Sequence, residues 1–322
     1  MIYKVSVCVP VYNAQLYLEE CIQSLIGQTL KDIQLIFVND GSTDKSKSIL
    51  DKYKKQYKNI VIIDQENQGL GGARNTALKY VEGEYVGFVD ADDFVDVEMF
   101  EKLYDTAKTK HAEMVISNMS FYPIDKRGRK KWFNRYDGKI DAKFLHKNTQ
   151  PWNKIVLNSV IQQLNFKFYE KNGDGQYIIL MLHVNKIVTI DDELYFYRVG
   201  HKSMSTDFNV EYFLISIESC KRQIELLKKT KYENQLKEYF DYRMINILLQ
   251  TQAVAALKNN RSVFMNCKNK LNRMNYRSNI YMKLLLFPEY GKIKYFGMTR
   301  IQNISFIFTR ASVTTLTFLG KF

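Results

Sequence analysis

The stretch Tyr85-Val86-Gly87-Phe88-Val89-Asp90-Ala91-Asp92 decides the fold: a short apolar run stops on two carboxylates one residue apart. The run predicts an extended strand. A strand ending this way presents both carboxylates at its carboxyl end, where they can share a hard divalent cation through oxygen ligands. In an open α/β sheet, ligands collect at that edge, and a cation there suits a diphosphate. Asp-x-Asp alone is common in surface turns, so the reading depends on the segments around it.

Outward from this point, strand signals fall at Lys4–Pro10, Ile33–Asn39, Ile60–Asp64, Tyr85–Asp90 and Met114–Ser120. Helical spacing lies between them: Leu18, Cys21, Ile22, Leu25 and Ile26, then Ile49, Leu50 and Tyr53 after a cap-like Ser42, then Phe100, Leu103, Tyr104 and Ala107. This alternation predicts an α/β fold with a mostly parallel sheet and helices on both faces. Residues 121–150 are polar and basic around Lys126-Arg127-Gly128-Arg129-Lys130-Lys131, and suit a loop or small excursion. Short strands and a helix return from Trp152 to Arg198. Beyond Asn209 the pattern is helical, with Leu214, Ile217, Cys220, Ile224 and Leu227 on one helix and Tyr239, Met244, Ile247, Leu248 and Thr251 on another. The expected division is 1–207 for the sheet domain and 208–322 for a basic helical domain.

Composition sets outer bounds. In 322 residues, 46% hydrophobic and 14% aromatic content exclude disorder, and 4 prolines with 15 glycines leave little material for linkers. Cys8, Cys21, Cys220 and Cys267 lie far apart without metal-ligand spacing, as expected of reduced thiols in a cytoplasmic protein. The amino terminus already has the pattern of a strand and not of a signal peptide, and no run approaches the roughly 18 apolar residues of a membrane span. The expectation is a soluble protein or one peripheral to the inner face of a membrane. Residues 208–322 carry 12 Lys and 7 Arg against 7 acidic residues, so +12 of the net +13 sits in the last third. Such a face attracts anionic headgroups or a polyanionic substrate, or is simply a solvated helix surface. No nucleic-acid reader motif accompanies it.

Three further segments carry candidate chemistry. Pro10-Val11-Tyr12-Asn13 ends the first strand without the glycine-rich turn of a dinucleotide fold. An aromatic ring and exposed main chain there can hold a flat base, or Tyr12 merely packs the strand end. Asp40, in Asn39-Asp40-Gly41-Ser42, either accepts from a base N–H or a ribose hydroxyl, or merely caps. In Asn67-Gln68-Gly69-Leu70-Gly71-Gly72-Ala73-Arg74-Asn75 the glycines bring the backbone close to a ligand or let it turn sharply. Arg74 then opens a short helix with a fork suited to a base or phosphates.

Together these segments resemble the inverting family 2 glycosyltransferases with the GT-A fold, which transfer sugars from nucleotide diphosphates. The matching order is Val9-Pro10-Val11-Tyr12-Asn13, Asn39-Asp40-Gly41-Ser42, Asn67-Gln68-Gly69, Ala73-Arg74-Asn75 and Asp90-Ala91-Asp92-Asp93. The resemblance implies that Tyr12 lies against the base, commonly uracil, with Val11 touching it through main chain. Asp40 would read the ring N–H, and Arg74 would brace the nucleotide. Asp90 would hold the ribose or the metal's water shell, Asp92 would ligate Mn²⁺ or Mg²⁺, and Asp93 would help orient it. The donor site so implied comprises Pro10, Val11, Tyr12, Asn13, Asp40, Asn67, Gly69, Arg74, Asp90, Ala91 and Asp92.

The acceptor half resembles the family over Phe168-Tyr169-Glu170-Lys171-Asn172-Gly173-Asp174, with Gly173 where the family usually has Glu. Asp174 would be the general base, or the cap of a helix starting near Gln176. Pro151-Trp152-Asn153-Lys154 resembles the lead into that half, Trp152 being a platform for a sugar ring or core. His201 and Lys202 fall in a segment resembling the one that closes over the diphosphate, His201 as a further metal ligand. Tyr281–Phe287 and Ile304–Arg310 mix aromatic, aliphatic and basic residues, suiting a membrane-interface helix, helix packing or a dimer seam. The implied activity is metal-dependent, single-addition transfer from a UDP-sugar to a cell-surface polysaccharide, teichoic acid or glycoprotein glycan, lipid-linked acceptors included. The rivals are a sugar nucleotidyltransferase and a non-catalytic scaffold docking to membrane or partner proteins.

Overall fold

Four aliphatic runs build one half of the sheet. The strands β1 (Tyr3–Val11), β2 (Ile33–Asp40), β3 (Ile60–Gln65) and β4 (Gly83–Phe88) lie parallel in the order β3-β2-β1-β4. Every residue of β2 is buried, which explains an apolar run with little alternation. The structure, a computed structural model, describes residues 3–123, 136–169, 176–200, 209–274, 276–282 and 284. It divides into two units, Met1–His201 and Lys202–Phe322.

Crossovers between the parallel strands are helical: α1 (Leu18–Ile26), α2 (Ser46–Lys54) and α3 (Gly69–Leu78). Val5, Val7 and Val9 of β1 share a core with Leu18, Ile22 and Leu25 of α1 and with Phe100 and Leu103 of α4 (Met99–Lys110). Alternation turns Ser6 and Cys8 to the other face, towards α3, whose Arg74 lies close enough to act on the charge of the Cys8 thiol. All four cysteines are free and buried.

The rest of the first unit brings β5 (Phe94–Val95), β6 (Met114–Tyr122), α5 (Ala142–Lys147), β7 (Lys154–Leu157), α6 (Asn158–Gln163), α7 (Tyr177–Met181) and β8 (Ile187–Arg198). The eight strands run in the order β3-β2-β1-β4-β7-β6-β8-β5. The sheet is mostly parallel, as expected. Its exceptions are β7, antiparallel to both β4 and β6, and β5, antiparallel to β8.

Two local expectations are corrected. Ser42 does not cap α2: its hydroxyl accepts from Asn13 N–H at 3.1 Å, and Asp44 instead accepts from Ser46 N–H at 2.9 Å. The turn after β2 is spent on holding the turn after β1. Arg74 does not open its helix either. The helix starts at Gly69, packs against β1 and β2, and holds buried Gly71 and Gly72 inside it. The basic excursion after β6 contains α5, where Asp141 accepts from Phe144 N–H at 2.8 Å as an N-cap; residues 124–135 lie outside the described residues.

In the second unit α8 (Val210–Leu227) packs on α9 (Glu233–Leu257), and α9 on α10 (Arg261–Arg273). Asn209 and Asn260 cap α8 and α10 through side-chain oxygens. Among the described residues no helix is long and apolar enough to cross a membrane. Residues 285–322, with most of the two aromatic-basic stretches, lie outside the described residues.

Candidate active site

The parallel strands bring their carboxyl ends to one edge. The chain winds β1, β2, β3 outward and then returns to place β4 on the other side of β1, making a topological switch point between β1 and β4. Ligands of open α/β sheets sit in the crevice outside such a point. Tyr12 follows β1 there, and Asp90 and Asp92 follow β4.

On the β1 side, Pro10 and Val11 are buried while the Tyr12 ring is 55% exposed. A half-solvated ring at a strand end is free to accept a flat partner. Asn13 adopts φ +49°, a left-handed conformation that Asn tolerates. Its Oδ1 accepts from Thr43 N–H at 2.8 Å, fastening this turn to the one after β2.

Asp40 is 2% exposed, and its carboxylate is occupied. Oδ1 accepts from Gln65 Nε2 at 2.6 Å and Gln68 N–H at 2.8 Å, and Oδ2 from Gly69 N–H at 2.9 Å. It therefore ties the end of β2 to the start of α3, where a carboxylate favours the helix dipole. Gly41, at φ +72°, passes so close to Asn67 that a Cβ would stand 3.0 Å from its main-chain nitrogen. Asn67 is exposed, and Gly69, at φ +80°, begins α3.

Arg74 is fully buried, and its guanidinium donates to Asp90 Oδ1 at 2.8 Å while lying 5.5 Å from the Phe168 ring centroid. In this structure it supports Asp90 from below and offers no open surface to a nucleotide. Asn75 next to it clamps Phe168, donating to its carbonyl at 3.0 Å and accepting from its N–H at 2.8 Å. The Asp90 side chain keeps 22% exposure, and Asp92 is partly exposed across the buried Ala91.

Asp93 points the other way. It is 1% exposed, accepts from the Tyr195 hydroxyl at 2.6 Å, and burial pushes its carboxyl well above the usual carboxylate range, helped by the charges of Asp92 and Asp90. Burial likewise raises the Cys21 thiol, with all three aspartates adding to the effect. The negative field of this corner is thus felt by its neighbours. Among the described residues no three His, Cys, Asp or Glu side chains converge as a complete metal cage. The donor set fits Mg²⁺ or Mn²⁺ nonetheless: such ions take one or two carboxylates and complete their shell with substrate phosphates and water.

In the acceptor half, the core alternative for Trp152 is the one the structure takes. Trp152 is 8% exposed, stacked on Tyr195 at 4.7 Å and on Tyr197 at 5.5 Å, so its ring is packing and not an open platform. Lys154 is fully buried, with its ammonium donating to Gln150 O at 2.7 Å, Asn153 Oδ1 at 2.8 Å and Trp152 O at 2.9 Å. These contacts hold Lys154 in the interior of the unit. Asp174 and His201 lie outside the described residues. Tyr195 also belongs to this corner, and its spacing from Tyr197, which puts both on one face of a strand, is its signal in the sequence; Arg198, with Tyr197, opens the segment that resembles the one closing over the diphosphate.

The chain matches the model of the family described as "Glycosyl transferase family 2" over residues 6–173. It is 31% identical over 249 residues to the glycosyltransferase GlyA of Streptococcus pneumoniae, covering 71% of this chain and 35% of that protein. It is 30% identical over 261 residues to the minor teichoic acid biosynthesis protein GgaB of Bacillus subtilis, covering 76% of this chain and 29% of that protein. The chain thus spans about a third of the length of these two relatives. Among solved structures, S. aureus TarS 1-349 in complex with UDP-GlcNAc shares the fold at TM-score 0.70 and 20% identity, covering 98% of this chain and 92% of that one. With the family model matched over half its length and the sheet's site edge in place, the chain belongs to glycosyl transferase family 2.

Proposed function

We propose that the protein transfers one sugar, with inversion, from a UDP-linked donor to a hydroxyl of a cell-surface glycan: a polysaccharide, a teichoic acid or a glycoprotein glycan. The observation that carries this is the Asp90–Asp92 pair at the β1/β4 switch point, with Arg74 buried beneath Asp90. TarS, which shares the fold, was captured with UDP-GlcNAc, and GgaB is named for minor teichoic acid biosynthesis.

In this reading Tyr12 covers the base, Val11 meets it through main chain, and Asn13, Asn67 and Gly69 form the rim of its pocket. Asp40 shapes that pocket by holding Gln68 and Gly69. Asp90 and Asp92 would hold Mn²⁺ or Mg²⁺, whose chemistry when bound is to neutralise charge on the departing diphosphate. Arg74 keeps Asp90 aimed. Asp174 takes the proton from the acceptor hydroxyl, a role worth roughly 10²–10⁴-fold in rate. Trp152 and Lys154 stiffen the wall from which the acceptor segment leaves. The charge of +12 over residues 208–322 suits an anionic membrane surface carrying a lipid-linked acceptor.

A panel of nucleotide sugars tests the reading. Slow hydrolysis of a UDP-sugar to UDP, dependent on Mn²⁺ or Mg²⁺ and needing no acceptor, is the expected result. Release of pyrophosphate would mark a nucleotidyltransferase, and inertness towards every donor would leave a scaffold.

A further inference from the structure

The strand β5 is two residues long, yet it pins the chain just after Asp92 to the end of β8, with Phe94 opposite Phe196 and Val95 opposite Tyr195. Three side chains reinforce this junction. Tyr195 is fully buried; its hydroxyl donates to Asp93 Oδ2 at 2.6 Å and accepts from the Asp90 main-chain N–H at 3.2 Å. Asp93 Oδ1 accepts from the main-chain N–H of Arg198 at 2.7 Å. Arg198 Nε donates to the Asp92 main-chain carbonyl at 2.9 Å, and its guanidinium also pairs with Glu20 of α1.

The Arg198 guanidinium is itself fixed, lying 4.8 Å from the Tyr17 ring centroid, 5.3 Å from that of Tyr122 and 5.4 Å from that of Phe94. The Tyr195 ring is held against Trp152 at an interplanar angle of 14°. Asp90 is thus gripped at its N–H and Asp92 at its carbonyl, both from the end of β8. With both ends of the tripeptide fixed, the points from which the two side chains leave the main chain are fixed as well, and Arg74 holds the Asp90 carboxylate itself. Tyr195 and Asp93 are buried, and Arg198 meets Asp92 through its main chain and not through its carboxylate.

We infer that Tyr195, Asp93 and Arg198 form a latch that positions the Asp90–Asp92 pair to receive a divalent cation together with the donor diphosphate. They are positioning residues acting through the aspartates. The inference rests on the proposed function above, since it assigns a cation and a diphosphate to that pair. Through this latch the end of β8, which leads towards His201, and the donor-binding turn share one geometry.

Calorimetric titration of UDP into the full chain, with and without Mn²⁺, tests the latch. Tyr195→Phe deletes one hydroxyl and keeps the ring on Trp152; Arg198→Lys keeps the charge and removes the Nε donor. Supporting metal ligands from behind is worth about 10–100-fold in metal affinity. Both variants are expected to bind UDP like the wild type without metal and to lose about tenfold or more of the gain that Mn²⁺ brings. Arg198→Lys keeps the test open if Tyr195→Phe fails to fold. A lowered unfolding midpoint with the full Mn²⁺ gain in a folded variant would make the contacts merely structural and overturn the inference. A wild type without any Mn²⁺ gain would instead overturn the function proposed for the pair, and the latch with it.

Discussion

The two halves of the sheet place their side chains by different means. In the half formed by β3, β2, β1 and β4, polar residues at strand ends are held by the next turn along the chain. Asp40 is met by Gln68 and Asn13 by Thr43, across separations of 28 and 30 residues. In the half formed by β7, β6, β8 and β5, Asp93 is held by Tyr195 and Arg198 across 102 and 105 residues. On the proposed reading, the first half builds a donor pocket from repeated βα units. The second stiffens it from behind with aromatic packing and buried polar groups. Chemistry written in local turns is compact in sequence; support delivered by a distant strand is not.

This contrast is open to being broken. If the second half is a supporting wall, Trp152→Ala should lower stability by about 3–5 kcal/mol, the usual cost of deleting a buried large aromatic. Urea unfolding measures it, and a loss below about 1 kcal/mol would show a wall that does not depend on its stacked rings. The first half should respond the opposite way. Tyr12→Ala removes an exposed ring, so the unfolding midpoint should stay put while UDP binding weakens by about 1–3 kcal/mol, the scale of base–aromatic stacking. A fall in stability without a change in affinity would reverse the assignment of the two halves.

The same contrast explains what was legible in the sequence. The strands of the first half, and β6, lie within a few residues of their expected positions because their apolar runs are bounded by Pro, Gly, Asn and Asp. The antiparallel insertion of β7 between β4 and β6 had no local signature, since Lys154-Ile155-Val156-Leu157 is too short to show a partner. Arg74 was visible as a site residue but not as a buried one. Its neighbours Gly71, Gly72 and Ala73 suit a loop or a closely packed helix equally, and only the packing of α3 on β1 and β2 decides. The burial of Lys154 was hidden for a related reason: a lysine in sequence does not show whether main-chain and side-chain oxygens await it inside. The proposed latch residues Tyr195 and Arg198 lie in the aromatic end of β8, whose chemistry becomes apparent only against Asp93.

The aspartate pair after β4 carries the proposed chemistry. The most direct measurement is calorimetry of UDP binding to wild type and Asp92→Ala, each with and without Mn²⁺. The expected result is that Mn²⁺ tightens UDP binding to the wild type and does nothing for Asp92→Ala, whose metal-free affinity stays that of the wild type. An equal gain from Mn²⁺ in both proteins would contradict it, and would move the cation away from the strand end on which the whole reading was built.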